Sequence, residues 1–237
     1  MTLISVAPAV FEAHPHFVRG LVVASKVDNR TLDPTLASLL TETCDGAAAN
    51  PLAIKSDPRI TAWDEAHRSF GSNPNKFPPA HKALLKRVCK AGNYVPPINA
   101  VIAIMNICSI GGVLPVGGDD RERMGTRLVL KPADGSESFT PLGQEDILEH
   151  PEPGEIVYCD ADSGQLMCRR WNWRNAHSTR ITEHTRSLVM NIDGIGENAH
   201  ARVVDVRDRV AELLAAFTGA ATHTDLLDID QPSTSID

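Results

Sequence analysis

The spacing of apolar positions divides the chain into two regimes. Through the first half they recur mostly every three or four residues, as on one face of a helix. Residues 32–43 and 58–70 each open at an Asp-Pro pair, Asp33-Pro34 and Asp57-Pro58, which places a capping side chain before a residue suited to the first helical turn. Residues 80–91 form an amphipathic pattern with Leu84, Leu85 and Val88 inward and the lysines outward, and Gly92-Asn93 gives a stop signal. Residues 17–24, FVRGLVVA, are the exception in this half and predict a short strand. From Gly125 onward the period changes. Residues 126–131, 155–160, 165–173 and 187–192 are rich in β formers, and residues 160–164 supply a hairpin turn. A last amphipathic helix is predicted over 203–217, and the polar residues from 219 to 237 are expected to be disordered. Helices first and strands afterwards give an α+β fold, with residues 1–218 as one domain.

The organising stretch is residues 96–120, PPINAVIAIMNICSIGGVLPVGGDD. Pro96-Pro97 predicts the first turn of a helix. Ile98, Val101, Ile102 and Met105 lie at helical spacing while Ile104 and Ile107 fill the opposite face, so the helix is expected to be buried. Asn99 and Asn106 lie seven residues apart on about the same face, and a buried amide needs a specific partner. Gly111-Gly112 is expected to end the helix and Gly117-Gly118 to shape a loop that backbone or ligand approaches closely.

Composition adds bounds. Hydrophobic content of 42% and charged content of 22% are those of an ordinary globular protein. No apolar run approaches the roughly 18 residues of a membrane helix, and no leader segment is read at the N-terminus. Five cysteines without metal-type pairing read as buried hydrophobes in a reducing compartment, which points to the cytoplasm. The net charge of −7 argues against extensive duplex binding, but the last nineteen residues hold four aspartates and no Lys or Arg, so the rest of the chain stands at −3. Basic groups cluster on the helix carrying Lys82, Lys86, Arg87 and Lys90, and around Arg169, Arg170, Arg174, Arg180 and Arg186.

The familiar nucleophile, zincin, phosphate-loop and deaminase signatures are missing from the sequence. Residues 194–199, GIGENA, fit a dinucleotide pattern, but no second parallel strand follows, and an ordinary turn is the expectation. His14-Pro15-His16 is a poor metal pair, and no metal or cofactor is expected. In Arg169-Arg170-Trp171-Asn172-Trp173-Arg174, the two tryptophans are expected on one strand face and Asn172 on the other. Both tryptophans suit a core, and one of them suits stacking on a nucleobase. Thr179, Thr182, Glu183, His184 and Thr185 form a run too polar for core filler. In it Glu183 is a candidate carboxylate for orienting water or an amino group, with surface solvation as the alternative, and His184 is a candidate base.

An ordered series of residues carries a family resemblance. Ile98-Asn99, Asn106 and Pro115 resemble the core of the B3/B4 editing domain of the phenylalanyl-tRNA synthetase β subunit. Phe70-Gly71, residues 74–79, 135–143 and 154–158, and Trp171-Asn172 follow in the same order, covering roughly residues 60–195. The likeness is greater to freestanding B3/B4 proteins than to the synthetase. It implies one three-layer domain with mixed sheets that hydrolyses a mischarged aminoacyl-tRNA in trans, without a cofactor. The partner is the acceptor end of the tRNA, with a synthetase as a further candidate partner. An aminoacyl ester is already activated, so a positioned water and aimed donors suffice for its hydrolysis.

The resemblance makes Asn106 the motif asparagine beside the pocket, with a purely structural helix amide as the alternative. Met105 stands where the synthetase has a pocket threonine, and Gly117 where it has a pocket histidine. Asp119 or Asp120 is near enough to take over water placement. The expected site is therefore Asn106, Glu183 and His184 for catalysis. Met105, Gly117, Gly118, Asp119, Asp120, Asn172 and Thr182 are expected to contact the substrate, and Arg169, Arg170, Trp171, Arg174 and Lys86 the tRNA. Candidate substrates are canavanyl-tRNA(Arg), suited to acidic pocket residues, and an aromatic mischarge such as tyrosyl-tRNA(Phe). A non-catalytic RNA-end-binding module and a small-molecule ester hydrolase are the alternatives.

Overall fold

The structure is a computed structural model that describes residues 1–90 and 94–237. The expected helix stop at Gly92-Asn93 lies outside the described residues. The fold is α+β, in one domain of three layers. A four-stranded antiparallel sheet runs in the order β3 (Val116–Asp120), β8 (Leu188–Gly194), β2 (Val18–Ser25), β9 (Ala221–Leu227). A six-stranded mixed sheet runs β10 (Ser233–Ile236), β1 (Thr2–Val6), β4 (Arg127–Pro132), β5 (Ile156–Asp160), β6 (Leu166–Arg169), β7 (Arg174–Asn175), and in it β1 and β4 are parallel.

Alternation along β2 shows how the layers are held. Val18, Val22 and Ala24 pack with the helices α2 (Pro34–Ala49), α5 (Ala100–Gly112) and α6 (Ala199–Thr218). Leu21 and Val23 point the other way, into a second core shared with Ile4, Leu128, Leu130, Ile156 and Tyr158 of the six-stranded sheet. With both faces covered, β2 is buried along nearly its whole length, which is why it reads as a continuous apolar run. A small third cluster, Val157, Cys159 and Leu166 with Phe139, closes the far face of the larger sheet. No helix among the described residues is long and apolar enough to cross a membrane.

Several expectations are corrected. The segment expected to be disordered after residue 218 forms two strands. β9 pairs with β2, with Val22 opposite Thr224, and β10 pairs with β1, with Thr2 opposite Ile236. Both are edge strands, and an edge strand with one solvated face has little need of apolar residues. Asp228 Oδ1 accepts from the N–H groups of Asp230 and Gln231 and so shapes the intervening turn. Lys82, expected in solvent, is buried on α4 (Ala80–Val88), where its ammonium donates to both Asp64 oxygens at 2.7 and 2.6 Å. The segment over 165–173 is not one strand. β6 stops at Arg169, and Arg170 and Trp171 both take left-handed backbone angles (φ 47° and 64°).

The central helix is buried as expected, but it starts at Ala100 rather than at the prolines. Asn99 is its cap, accepting from the Ile102 N–H at 2.9 Å, so this amide finds its partner locally. The left-handed residue past its end is Val113 (φ 52°), not a glycine. Gly112 serves packing instead, because a Cβ there falls 2.3 Å from Val206 Cγ2 of α6. Gly112→Ala is therefore expected to lower stability by about 1–3 kcal/mol. Gly111→Ala, with nothing within 4 Å, is expected to leave it unchanged or raise it. Urea denaturation checks the pair, and equal losses in both would overturn the packing account. Gly117-Gly118, expected in a loop, lies in β3, where Gly117 is opposite Asn191 of β8.

Candidate functional site

β3 is an edge of the smaller sheet, and the turn after β6 lies at the edge of the larger one. A cleft of about 320 Å³ opens where these two edges meet. Its walls include Met105 of α5, Pro115 to Asp119 along β3, Leu142, Ala80 at the start of α4, and residues 171–175. Its floor is polar, which is unusual for space between two sheets. Arg19 from β2 and Asp193 from β8 are opposite each other in register and form a buried two-point ion pair, Nε to Oδ1 at 2.7 Å and Nη2 to Oδ2 at 2.8 Å. Burial disfavours the Arg19 charge, but the attraction of Asp193 and its hydrogen bonds outweigh that and hold the guanidinium above its ordinary value.

Asp119 is the chemically distinctive group. It is 5% exposed and accepts one side-chain hydrogen bond, from Thr179 Oγ1 at 2.5 Å. Burial raises its pKa to about 7, against the opposing pull of the Thr179 bond and the Arg19 charge. It therefore exchanges a proton near neutral pH, as a general base should. The thiol of Cys168, which also lines the cleft, is pushed far up by burial and stays protonated.

The cleft residues also hold polar atoms that find no partner. Among the described residues Arg19 Nη1, Tyr158 Oη, Asn172 Nδ2 and Asn191 Oδ1 are all buried without a hydrogen bond. Each such group costs about 1–3 kcal/mol, and several in one place mark a site built for something other than stability. Wider grooves, such as the one of about 460 Å³ between α2, α5 and α6, are lined by none of these groups.

Of the residues expected from the sequence, Met105, Gly117, Gly118, Asp119, Asn172, Trp171 and Arg174 line the cleft. Asn106 does not; it is half-buried on α5, and its side chain makes no hydrogen bond to the described residues. Glu183 and His184 are exposed, 3.5 Å from each other and outside the cleft. Asp120 is turned away, accepting from Thr185 Oγ1 at 2.6 Å and from the Glu122 N–H at 3.0 Å. Thr182 accepts from Asn29 Nδ2 through its carbonyl and does not line the cleft.

The residues expected to contact tRNA also separate. Arg169 is committed to Glu155 and Glu149, with contacts of 2.6 to 3.0 Å, and has no free face. Trp171 is 1% exposed, wedged among Phe17, Trp63 and His14, so it cannot stack on a ligand base. Lys86 is exposed on α4, away from the cleft lining. Trp173 is the tryptophan left at the cleft, edge-on to Phe77 at 4.8 Å, with the Arg170 and Arg174 guanidinium groups 5.9 and 6.0 Å from its ring.

Arg19, Tyr158, Asn191 and Asp193 were not anticipated, although a signal was present. Arg19 interrupts FVRGLVVA, and Asn191 and Asp193 interrupt SLVMNID. A charged residue inside a strand buried on both faces requires a partner, and Arg19 and Asp193 are the only such charges in these two runs. Among the described residues no group of three or more His, Cys, Asp or Glu side chains is arranged to hold a metal ion.

No curated protein matches the chain. Among solved structures, an N-terminal fragment of the phenylalanyl-tRNA synthetase β subunit from Pyrococcus horikoshii is similar at 12% identity, with a TM-score of 0.47. The match covers 92% of this chain and 49% of that one, so the chain spans about half the length of the fragment. A family model described as the B3/4 domain matches residues 62–214, well over half of the sequence, and the chain belongs to the B3/4 domain family.

Proposed function

We propose that the protein is a trans-acting deacylase that hydrolyses the ester of a mischarged aminoacyl-tRNA in the cleft beside β3. The whole described chain, including β9 and β10, acts as one editing unit, working in the cytoplasm where charged tRNA is found. The observation that carries the reading is Asp119, a buried carboxyl with a pKa near 7 beside an open glycine strand and a floor of unpartnered polar groups. Gly117 has nothing within 4 Å of where a side chain would begin, which leaves room for an acylated ribose. Asp119 takes one proton from water as the water oxygen bonds to the ester carbon, and the carbonyl electron pair moves onto its oxygen. Collapse of that adduct breaks the bond to the ribose oxygen, which receives the proton back from Asp119. Family membership supports the reading, as does the series of motif residues that resembles editing domains.

The test is a deacylation assay over a panel of mischarged tRNAs that includes canavanyl-tRNA(Arg) and tyrosyl-tRNA(Phe). Turnover of at least one is expected. Binding without turnover would favour a non-catalytic RNA-end module, and equal turnover of free amino-acid esters would favour a small-molecule hydrolase. Trp173, Arg174 and Arg170 form the surface proposed for the terminal nucleotide. Trp173→Ala is expected to raise KM for the aminoacyl-tRNA about tenfold, as loss of one stacked base should, with little change in kcat. An unchanged KM would remove the nucleotide from that surface.

A further inference from the structure

We propose that His67 is a positioning residue, holding the Asn172 amide so that its NH2 group is free to donate to the carbonyl oxygen of an ester in the cleft. The inference rests on the deacylase reading for its ligand and on side-chain geometry for the rest. His67 lies in the last turn of α3 (Pro58–Ser69), fully buried, with Nε2 3.2 Å from Asn172 Oδ1. The backbone of Asn172 is pinned on both sides. Its N–H donates to the Arg170 carbonyl at 2.7 Å, and its carbonyl accepts from the Ala80 N–H at 3.0 Å. Only the side-chain torsions are left to set where the amide points.

The choice between two arrangements follows from hydrogen-bond accounting. A neutral imidazole carries a single N–H. With it on Nε2, His67 donates to Asn172 Oδ1, and the buried Nδ1, which makes no hydrogen bond of standard geometry among the described residues, is only a bare lone pair. With it on Nδ1, the ring N–H has at most the Phe77 backbone near it, in no hydrogen bond of standard geometry among the described residues, and Asn172 must turn its NH2 group back toward Nε2. Buried N–H groups without a partner are rarer in proteins than under-used acceptors, so the first arrangement is favoured. Burial keeps the ring neutral by lowering its pKa to about 4, so the single N–H persists at neutral pH. Asn172 Nδ2 is then left buried and unpaired on a residue that lines the cleft. An acceptor oxygen is the ligand group that completes it, and the carbonyl oxygen of an ester gains negative charge as water adds.

Two measurements on the full chain test the assignment. Nitrogen NMR of the histidine rings, with the His67 signal identified by its loss in His67→Gln, should show the proton on Nε2. A proton on Nδ1 would overturn the proposal. That reading needs no substrate, so a wild-type chain that hydrolyses no ester sinks the deacylase reading while the ring alone still decides whether His67 holds the amide. On a tRNA ester that is turned over, His67→Leu is expected to lower kcat about 10- to 100-fold, the scale of one misplaced oxyanion donor, with KM within about twofold. His67→Gln, which retains an N–H donor, should recover most of that loss. His67→Leu combined with Asn172→Ala should be no slower than Asn172→Ala alone. Losses that multiply, or a KM effect with kcat unchanged, would overturn the positioning role.

Discussion

Asp193→Ala is expected to destabilise the protein by about 3–5 kcal/mol, the usual penalty for stranding one member of a buried ion pair. Arg19 is 2% exposed and has no second carboxylate within bonding distance among the described residues, so alanine leaves a guanidinium in the layer between the two sheets without its counter-charge. Removing both charges together, as Arg19→Met with Asp193→Leu, is expected to recover much of the loss, because the desolvation cost of each ion disappears with it. Chemical denaturation of the single and double variants measures both effects. A single variant within 1 kcal/mol of wild type would mean that the pair is far better solvated than its burial implies. The double variant should fold yet lose activity, since both residues belong to the cleft floor.

Asp119→Asn is expected to reduce turnover by roughly 10²–10⁴-fold, the range for loss of a general base, while making the protein more stable above neutral pH. The sign follows from linkage. Burial raises the folded pKa of Asp119 from 3.8 to about 7, so the folded chain holds this proton more tightly than the unfolded chain. The resulting stability is full below pH 3.8 and is lost as pH climbs through 7, an effect of at most about 4 kcal/mol. Asparagine keeps an acceptor for Thr179 Oγ1 and never ionises, so this pH dependence should vanish. Activity runs the other way. In the wild type kcat/KM should rise with pH and level off above about 7, as Asp119 becomes a base. Thermal unfolding and kinetics from pH 5 to 9 examine both halves. An asparagine variant that works within threefold of wild type would remove Asp119 from the chemistry.

The site was legible in part, and the reasons are specific. Residues 105 and 117–119 line the cleft together because one contiguous stretch, from the middle of α5 into β3, carries them all there. The motif points to Asn106, but a helix turns about 100° per residue, so Met105 and Asn106 cannot face the same wall. Asp119 and Asp120 were inseparable on paper. Strand alternation parts them, sending one to the cleft and the other to Thr185. Glu183 and His184 are polar because they face solvent, whereas Thr179 in the same run bonds the buried carboxyl.

Local pattern was enough for the helices α2, α3 and α6, for strands β2, β4, β5 and β8, and for the α+β class, because amphipathic period and cap residues act over a few neighbouring positions. It was not enough for β3, β9 and β10. The glycines and aspartates of β3 and the short mixed runs of β9 and β10 give weak strand signals of their own, and they become strands because β8, β2 and β1 offer edges to pair with. The same holds for the cleft floor. The sequence determines that Arg19 and Asp193 are charges inside apolar strands, but only the pairing of β2 with β8 brings them together, because residues 174 positions apart meet through the fold and not through the chain.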